Sequence, residues 1–251
     1  MADSPALIYG LIGYPLTHSF SQNYFNQKFE SEHINARYLN FELPDIGDLM
    51  EAIAEYPNLQ GFNVTIPYKE QVIDYLDEID PVAEKIGAVN VVKITRRKGV
   101  LSMKGYNSDY AGFCDSIRPM LKPEHKKALV LGTGGASKAI CQGLLDLGVE
   151  PTLVSRTKRE GVHTYGELTP EVMAEHTVIV NTTPLGMYPH MDACPDIPYE
   201  LLTPEHLCYD LLYNPDVTLF MKRAAEYGAT TKNGLEMLLL QAFASWTIWN
   251  N

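Results

Sequence analysis

The sequence, 251 residues long, contains no apolar run approaching the 18 or more residues that a membrane-spanning helix needs. Its first residues, Met1-Ala2-Asp3-Ser4-Pro5, lack the basic-then-apolar layout of a secretory signal. Cysteine is scarce: Cys114, Cys141, Cys194 and Cys208 stand far apart, with no Cys-x-x-Cys pair. That spacing argues against a disulfide framework or a zinc site, and predicts buried reduced thiols in a cytoplasmic protein. No cluster of histidine, cysteine and carboxylate suggests a resident metal. Internal repeats and low-complexity tracts are also missing. Positive charge is short, with 20 Lys and Arg against 31 Asp and Glu, a net charge of −11. This balance argues against nucleic acid or an anionic membrane as the main partner. A small anionic ligand remains compatible, provided the few cations gather where it binds.

What the chain does have is an ordinary globular composition, 45% hydrophobic and 20% charged. Its length suits one large domain or two modest ones. Strand-like and helix-like stretches alternate. Apolar runs at 6–13, 36–43, 59–66, 89–95 and 99–105 read as strands, the last two as a hairpin around Arg96-Arg97-Lys98-Gly99. Residues 19–32 and 45–56 read as helices. After Ser108 the pattern continues with a helix at 108–121, strands at 128–131, 151–155, 178–181 and 207–212, and a helix at 136–147. Residues 234–249 form a last helix, apolar nearly all round, which predicts deep packing. Interleaved strands and helices imply an α/β fold with parallel β-α-β units. Two such domains would leave a cleft suited to small molecules.

The run Gly132-Thr133-Gly134-Gly135-Ala136 lies between a short buried strand and a helix. Glycines there let the backbone approach a pyrophosphate, and the helix N-terminus offers its free N–H groups. The residues after the next strand discriminate between cofactors. An acid there would bond the ribose 2′-hydroxyl of NAD. This chain instead has Ser155-Arg156-Thr157-Lys158-Arg159. Arginine forks onto a phosphate and lysine adds a point charge, so a 2′-phosphate, and hence NADP, is the expected ligand.

The first half holds polar residues at places where α/β proteins bind ligands. Ser19 and Ser21 mark a helix start, suited either to capping or to a carboxylate. Thr65 and Lys69 follow the third strand, Asn90 follows Gly87-Ala88-Val89, and Asp109 opens a helix.

Taken together, His18-Ser19-Phe20-Ser21, Asn63-Val64-Thr65-Ile66-Pro67-Tyr68-Lys69, Gly87-Ala88-Val89-Asn90, Gly105–Asp109, Gly132–Ala136, Asn181-Thr182-Thr183-Pro184-Leu185-Gly186-Met187, Asp210-Leu211-Leu212-Tyr213-Asn214-Pro215 and Leu240-Gln241-Ala242 resemble the shikimate dehydrogenase family, in family order over nearly the whole chain. The resemblance implies an α/β substrate domain at 1–107 and 233–251, with the C-terminal helix returning to it. A Rossmann-type NADP-binding domain would occupy 108–232. It implies reversible hydride transfer between NADPH and 3-dehydroshikimate, giving shikimate on the way to chorismate and the aromatic amino acids. By the same resemblance, Ser19 and Ser21 hold the substrate carboxylate. Thr65, Asn90, Asp109 and Gln241 contact its hydroxyls, and Lys69 and Asp109 form the catalytic pair. Tyr213 and Gly234 fall near the meeting of substrate and nicotinamide. Gly132, Gly134, Gly135, Ala136, Ser155, Arg156, Thr157, Lys158 and Thr182 join Gly234 in binding NADP. The expected protein is a monomer or homodimer.

Some positions depart from the family pattern. Gln22 stands where proline is usual, Val91 and Ser108 where threonine is, and Ser155 where asparagine is frequent. The segment 158–176 is short, with room for little more than a helix at 170–174, so the cofactor domain is expected to be trimmed on one face. A quinate or dual quinate/shikimate dehydrogenase using NAD, and a non-catalytic NADP-binding paralogue, are the competing readings.

Overall fold

The computed structural model describes residues 6–16 and 20–251. Its contacts divide the chain into two compact units, Met1–Ser108 with Ala242–Asn251, and Asp109–Gln241.

In the first unit six strands form one mixed sheet: β1 Leu7–Gly13, β2 Ala36–Glu42, β3 Leu59–Val64, β4 Glu78–Ile79, β5 Val91–Arg97 and β6 Val100–Tyr106, in the order β2-β1-β3-β5-β6-β4. β1 pairs in parallel with β2 and β3, and β5 runs antiparallel to both β3 and β6. Lys98 and Gly99, both at positive φ, close the β5–β6 hairpin between the paired Arg97 and Val100. That geometry matches the right-handed twist of the strands it joins. Helices α1 Phe20–Ser31, α2 Leu49–Glu55 and α3 Pro81–Ile86 belong to this unit. The apolar patterning of the sequence does not mark α3, although its signals are local. Asp80 accepts from the Val82 N–H, Pro81 fills the first turn, and Gly87 ends the helix at φ 69°. The 45–56 segment is not one helix: a 3-10 turn, Ile46–Asp48, precedes α2.

An aromatic cluster of Tyr9, Phe25, Phe29, Tyr38 and Trp249 packs α1 and the chain's last turn onto this sheet. The Trp249 indole donates to the Val92 carbonyl at 3.0 Å, and Gly61 leaves room for its ring. Buried tryptophan with a satisfied N–H is a strong anchor.

The second unit is a six-stranded sheet, parallel throughout: β7 Lys127–Leu131, β8 Glu150–Ser155, β9 Val162–Thr164, β10 Val178–Asn181, β11 Leu207–Asp210 and β12 Thr230–Lys232, ordered β12-β11-β10-β7-β8-β9. The strand order reverses between β7 and β10, the switch point beside which such sheets bind ligands. Helices α4 Ser108–Ile117, α5 Gly135–Asp146, α6 Pro170–Glu175, α7 Leu219–Glu226 and α8 Leu235–Asn250 complete the list. Leu129, Leu131, Val154, Ile179 and Phe220 fill the core on one face, and Ala128, Val130, Ile140, Leu144 and Tyr209 fill it on the other.

Two features differ from the sequence expectation. Between β8 and β9 only residues 156–161 intervene, where parallel neighbours ordinarily need a crossover of a dozen residues or more. Gly161, at φ 70°, and a bridge between Arg159 and Val162 fold this link back on itself. Segment 158–176 therefore keeps a third strand and a 3-10 turn, Tyr165–Glu167, besides α6. What it lacks is the crossover helix. The second difference is α8. Met237, Ala242 and Trp249 are buried, but Leu235, Leu239 and Phe243 form an exposed apolar row at four-residue spacing. Uniform apolarity therefore does not make this helix buried all round.

Candidate active site

In the first unit the end of β3 and the start of β5 bring Thr65, Lys69 and Asn90 to one sheet edge. The Val64 N–H donates to the Asn90 carbonyl at 2.9 Å, and the Thr65 N–H to Ile12 at 2.9 Å. Lys69 is fixed through its backbone. Its carbonyl accepts from the Val89 N–H at 2.7 Å, while Tyr68 turns back to Thr65 at 2.9 Å and its hydroxyl donates to Leu43 at 2.6 Å. The Lys69 backbone therefore lies in a pinned turn.

Behind this edge runs a buried polar chain. Ser21 is hydrogen-bonded to the Tyr38 hydroxyl, which donates to Asn63 Oδ1 at 2.8 Å. Asn63 Nδ2 donates to Ser245 Oγ at 2.9 Å, and Ser245 meets Ser108 Oγ at 3.1 Å. Ser108 closes the chain on Asn90, whose Oδ1 accepts from the Ser108 N–H at 2.6 Å. Asn90 thus holds the residue preceding Asp109, a positioning task beyond the hydroxyl contact expected of it. Ser21 is half-buried at the start of α1, and Ser19 lies outside the described residues. Nothing local in the sequence singles out Tyr38 or Ser245, because their partners come from sequence-distant elements. Replacing Tyr38 by Phe should leave Asn63 Oδ1 without its donor. It should cost about 1–3 kcal/mol in chemical denaturation and raise KM more than it lowers kcat.

In the second unit Asp109 sits in the first turn of α4. Gly112, one turn on, lets α8 approach: a methyl there would meet the Met237 carbonyl at 2.7 Å and Gln241 Cβ at 3.0 Å. Gln241, nearly buried, therefore packs one turn from Asp109.

The glycine turn follows β7. Gly132 has φ 110°, and a side chain there would strike Thr182 Oγ1 at 2.7 Å. The Thr182 hydroxyl is spent on the Leu131 carbonyl at 2.7 Å, so it shapes the turn. Gly134 precedes α5 with extended backbone, no side-chain cap and nothing within 4 Å of where a Cβ would stand. An uncapped helix N-terminus behind an open glycine cradle fits a dinucleotide pyrophosphate. Gly135 and Ala136 open the helix itself. Beyond β8, the Ser155 hydroxyl donates to the Thr157 carbonyl at 2.7 Å and accepts from its N–H at 3.0 Å. This small turn presents Arg156, Thr157, Lys158 and Arg159, all exposed. Lys158 is not held by its neighbours in the loop: Nζ donates to Glu167 Oε1 at 2.6 Å.

At the ends of β10 and β11 lies a second network. Asp210 is fully buried. Its Oδ1 accepts from Asn181 Nδ2 at 3.0 Å and the Leu212 N–H at 3.1 Å, and its Oδ2 from Thr218 Oγ1 at 2.6 Å. Asn181 in turn accepts from Thr183, through both its N–H and its hydroxyl. The loops 182–187 and 211–218 are thereby tied to one carboxylate. Burial pushes the Asp210 carboxyl up to about 6, against the downward pull of its three donors. The Gly234 N–H donates to the Leu212 carbonyl at 2.8 Å, beside exposed Tyr213, and a side chain at Gly234 would strike the Leu211 carbonyl.

A parallel sheet with a glycine cradle at its switch point, together with an α/β unit presenting a pinned lysine, defines a dinucleotide-dependent dehydrogenase of small molecules. The family model for the shikimate dehydrogenase substrate binding domain matches residues 11–92. The shikimate dehydrogenase (NADP(+)) of Caldanaerobacter subterraneus is 37% identical over 264 residues, spanning 98% of this chain and 92% of that one. The crystal structure of shikimate dehydrogenase from Aquifex aeolicus is similar with a TM-score of 0.84 and 34% identity, covering 100% of this chain and 94% of the other. That of the Thermus thermophilus enzyme in complex with NADP(H) and shikimate gives a TM-score of 0.83 at 30% identity, covering 97% and 93%. The chain belongs to the shikimate dehydrogenase family.

Proposed function

We propose that this chain catalyses the reversible reduction of 3-dehydroshikimate to shikimate with NADPH, a step toward chorismate and the aromatic amino acids. One observation carries the reading. Lys69 stands on a fixed turn at the β3 edge, beside Asn90, in a chain that aligns with NADP-dependent shikimate dehydrogenases over almost its full length. NADPH supplies the hydride when bound. The substrate ketone then becomes an alkoxide, which needs positive charge and a proton. Lys69 supplies both: its ammonium stabilises the oxygen and transfers the proton to it. Asp109 orients that ammonium. Ser19 and Ser21 take the substrate carboxylate, and Thr65, Asn90 and Gln241 its hydroxyls. Tyr213 and Gly234 border the reacting carbon. Gly132, Gly134, Gly135 and Ala136 receive the pyrophosphate, with Thr182 shaping their turn. Arg156 and Lys158, with Ser155 and Thr157 setting their loop, take the 2′-phosphate.

The substrate-binding catalytic domain is read as 1–107 with 233–251, and the NADP-binding domain as 108–232. The protein works as a cytoplasmic monomer or homodimer, without nucleic acid or membrane. No described helix is long and apolar enough to cross a membrane.

The test is a matrix of shikimate and quinate against NADP⁺ and NAD⁺, following absorbance of the reduced cofactor with purified protein. The highest kcat/KM is expected for shikimate with NADP⁺. A higher value for quinate with NAD⁺, or no turnover by folded protein, overturns the reading. Replacing Arg156 by Ala should weaken NADP⁺ binding about tenfold or more in calorimetry, while NAD⁺ affinity changes little, since a bidentate phosphate contact is lost.

A further inference from the structure

The end of the second strand in a dinucleotide-binding sheet is where a carboxylate selects an unphosphorylated ribose. In this chain β8 ends at Ser155 without one, and cations follow. The structure brings a carboxylate to the same place from the next strand. Because β8 runs into β9 without a crossover helix, their C-terminal ends lie in register, Ser155 opposite Thr164. Immediately after Thr164 comes the 3-10 turn that ends at Glu167. Glu167 Oε2 accepts from the Thr164 N–H at 2.7 Å and from its hydroxyl at 2.9 Å, a reciprocal cap that fixes the side chain. The other oxygen, Oε1, holds Lys158 at 2.6 Å. Arg156 lies close enough to act electrostatically on Tyr165, in the same turn. The Lys158 ion pair and the Thr164 cap together hold Glu167 ionised, its carboxyl down to about 2.

We propose that Glu167 is a specificity-determining residue for the cofactor. Its carboxylate, pinned on Thr164 opposite the end of β8, occupies Lys158 in the free protein and offers an acceptor to a ribose 2′-hydroxyl, and so narrows the preference for a 2′-phosphorylated dinucleotide over an unphosphorylated one. A 2′-phosphate must take Lys158 from Glu167 and sit near its negative charge. A 2′-hydroxyl meets no such competition. The inference rests on the reading that the loop 155–159 receives the 2′-phosphate.

The variant is Glu167→Gln, because glutamine keeps an acceptor oxygen for the Thr164 N–H while a neutral amide donor replaces the charged oxygen that holds Lys158. The probes are NADP⁺, NAD⁺, adenosine 2′,5′-bisphosphate and 5′-AMP, titrated calorimetrically into the full chain without substrate. E167Q is expected to bind NADP⁺ and the bisphosphate about two- to fivefold more tightly, the scale of an exposed charge pair. NAD⁺ and 5′-AMP should bind equally or more weakly, so the ratio of the two affinities widens. An unchanged or narrowed ratio overturns the proposal. The loop's own exposed carboxylate, Glu160, supplies the control: if Glu160→Gln widens the ratio as much as E167Q, overall charge is responsible and the pinned position is not. Arg156→Ala separates the two levels. If it leaves NADP⁺ and bisphosphate affinity untouched, the basic-loop reading fails; if it weakens them while E167Q leaves the ratio unchanged, only the role of Glu167 fails.

Discussion

Replacing Lys69 by Ala is expected to lower kcat by about 10²–10⁴-fold, the range for a positioned proton donor, while shikimate still binds with nearly its normal affinity. The reason lies in what the lysine is asked to do. Hydride arrival converts a neutral ketone into an alkoxide, so the ammonium matters most after charge has developed. An interaction realised mainly in the transition state appears in kcat and leaves binding little changed. The geometry supports a precise placement. The Lys69 carbonyl is held by Val89, and the preceding Tyr68 is buried and tied to both Thr65 and Leu43. Lys69→Arg refines the test. A guanidinium keeps the positive charge but does not release a proton near neutral pH. That variant should retain substrate binding and stay far below wild type in kcat. Steady-state kinetics beside equilibrium titration with shikimate separate the two quantities. An unchanged kcat in K69A would remove Lys69 from the chemistry.

The parts of the site visible in the sequence are those whose chemistry is local. The glycine turn works through consecutive backbone groups, so Gly132 through Ala136 announce it directly. Asn63 through Lys69 are likewise one continuous strand end and turn. Residues whose partners arrive from elsewhere were hidden. Asp210 reads as an interior residue of a strand at 207–212 until Asn181 and Thr218 are seen to converge on it. Tyr38 reads as one alternating strand residue among several, although its hydroxyl connects Ser21 to Asn63. Glu167 was out of view for a topological reason. Its reach to Lys158 depends on β8 passing to β9 without a helix, and a three-residue strand such as β9 carries no periodicity to reveal it. The net charge of −11 leaves room for an anionic ligand only where cations gather. Cations gather on the loop 156–159, whereas the expected carboxylate contacts are hydroxyls. Even at the loop, one of the three cations is already paired, so local charge differs from the count of basic residues.

The buried Asp210 carboxylate gives the largest expected effect on stability, and its sign differs from that of the surface acids. Alanine there would strand three buried donors: Asn181 Nδ2, Thr218 Oγ1 and the Leu212 N–H. Each lost acceptor costs about 1–3 kcal/mol. Removing a buried charge returns about 3 kcal/mol, from a carboxyl displaced by roughly two pH units at about 1.4 kcal/mol each. The unsatisfied donors win, and Asp210→Ala should lose about 2–4 kcal/mol at neutral pH. Asparagine behaves differently. Its oxygen can keep Asn181 and Leu212, its amide can donate to Thr218, and no charge is buried. Because the native carboxyl titrates near 6 and the unfolded one near 3.8, the native state holds the extra proton between those values. Wild-type stability contributed by this group is therefore greatest below pH 3.8 and is lost as pH rises through about 6. Glu167 and Glu175, both shifted down by lysine partners, act in the opposite direction, but equally in wild type and variant. The difference between the two proteins isolates Asp210. In urea titrations, Asp210→Asn should gain about 2 kcal/mol on wild type between about pH 4.5 and 7. A difference independent of pH would show that the Asp210 carboxyl titrates in the native state as it does in the unfolded chain, with no upward shift from burial.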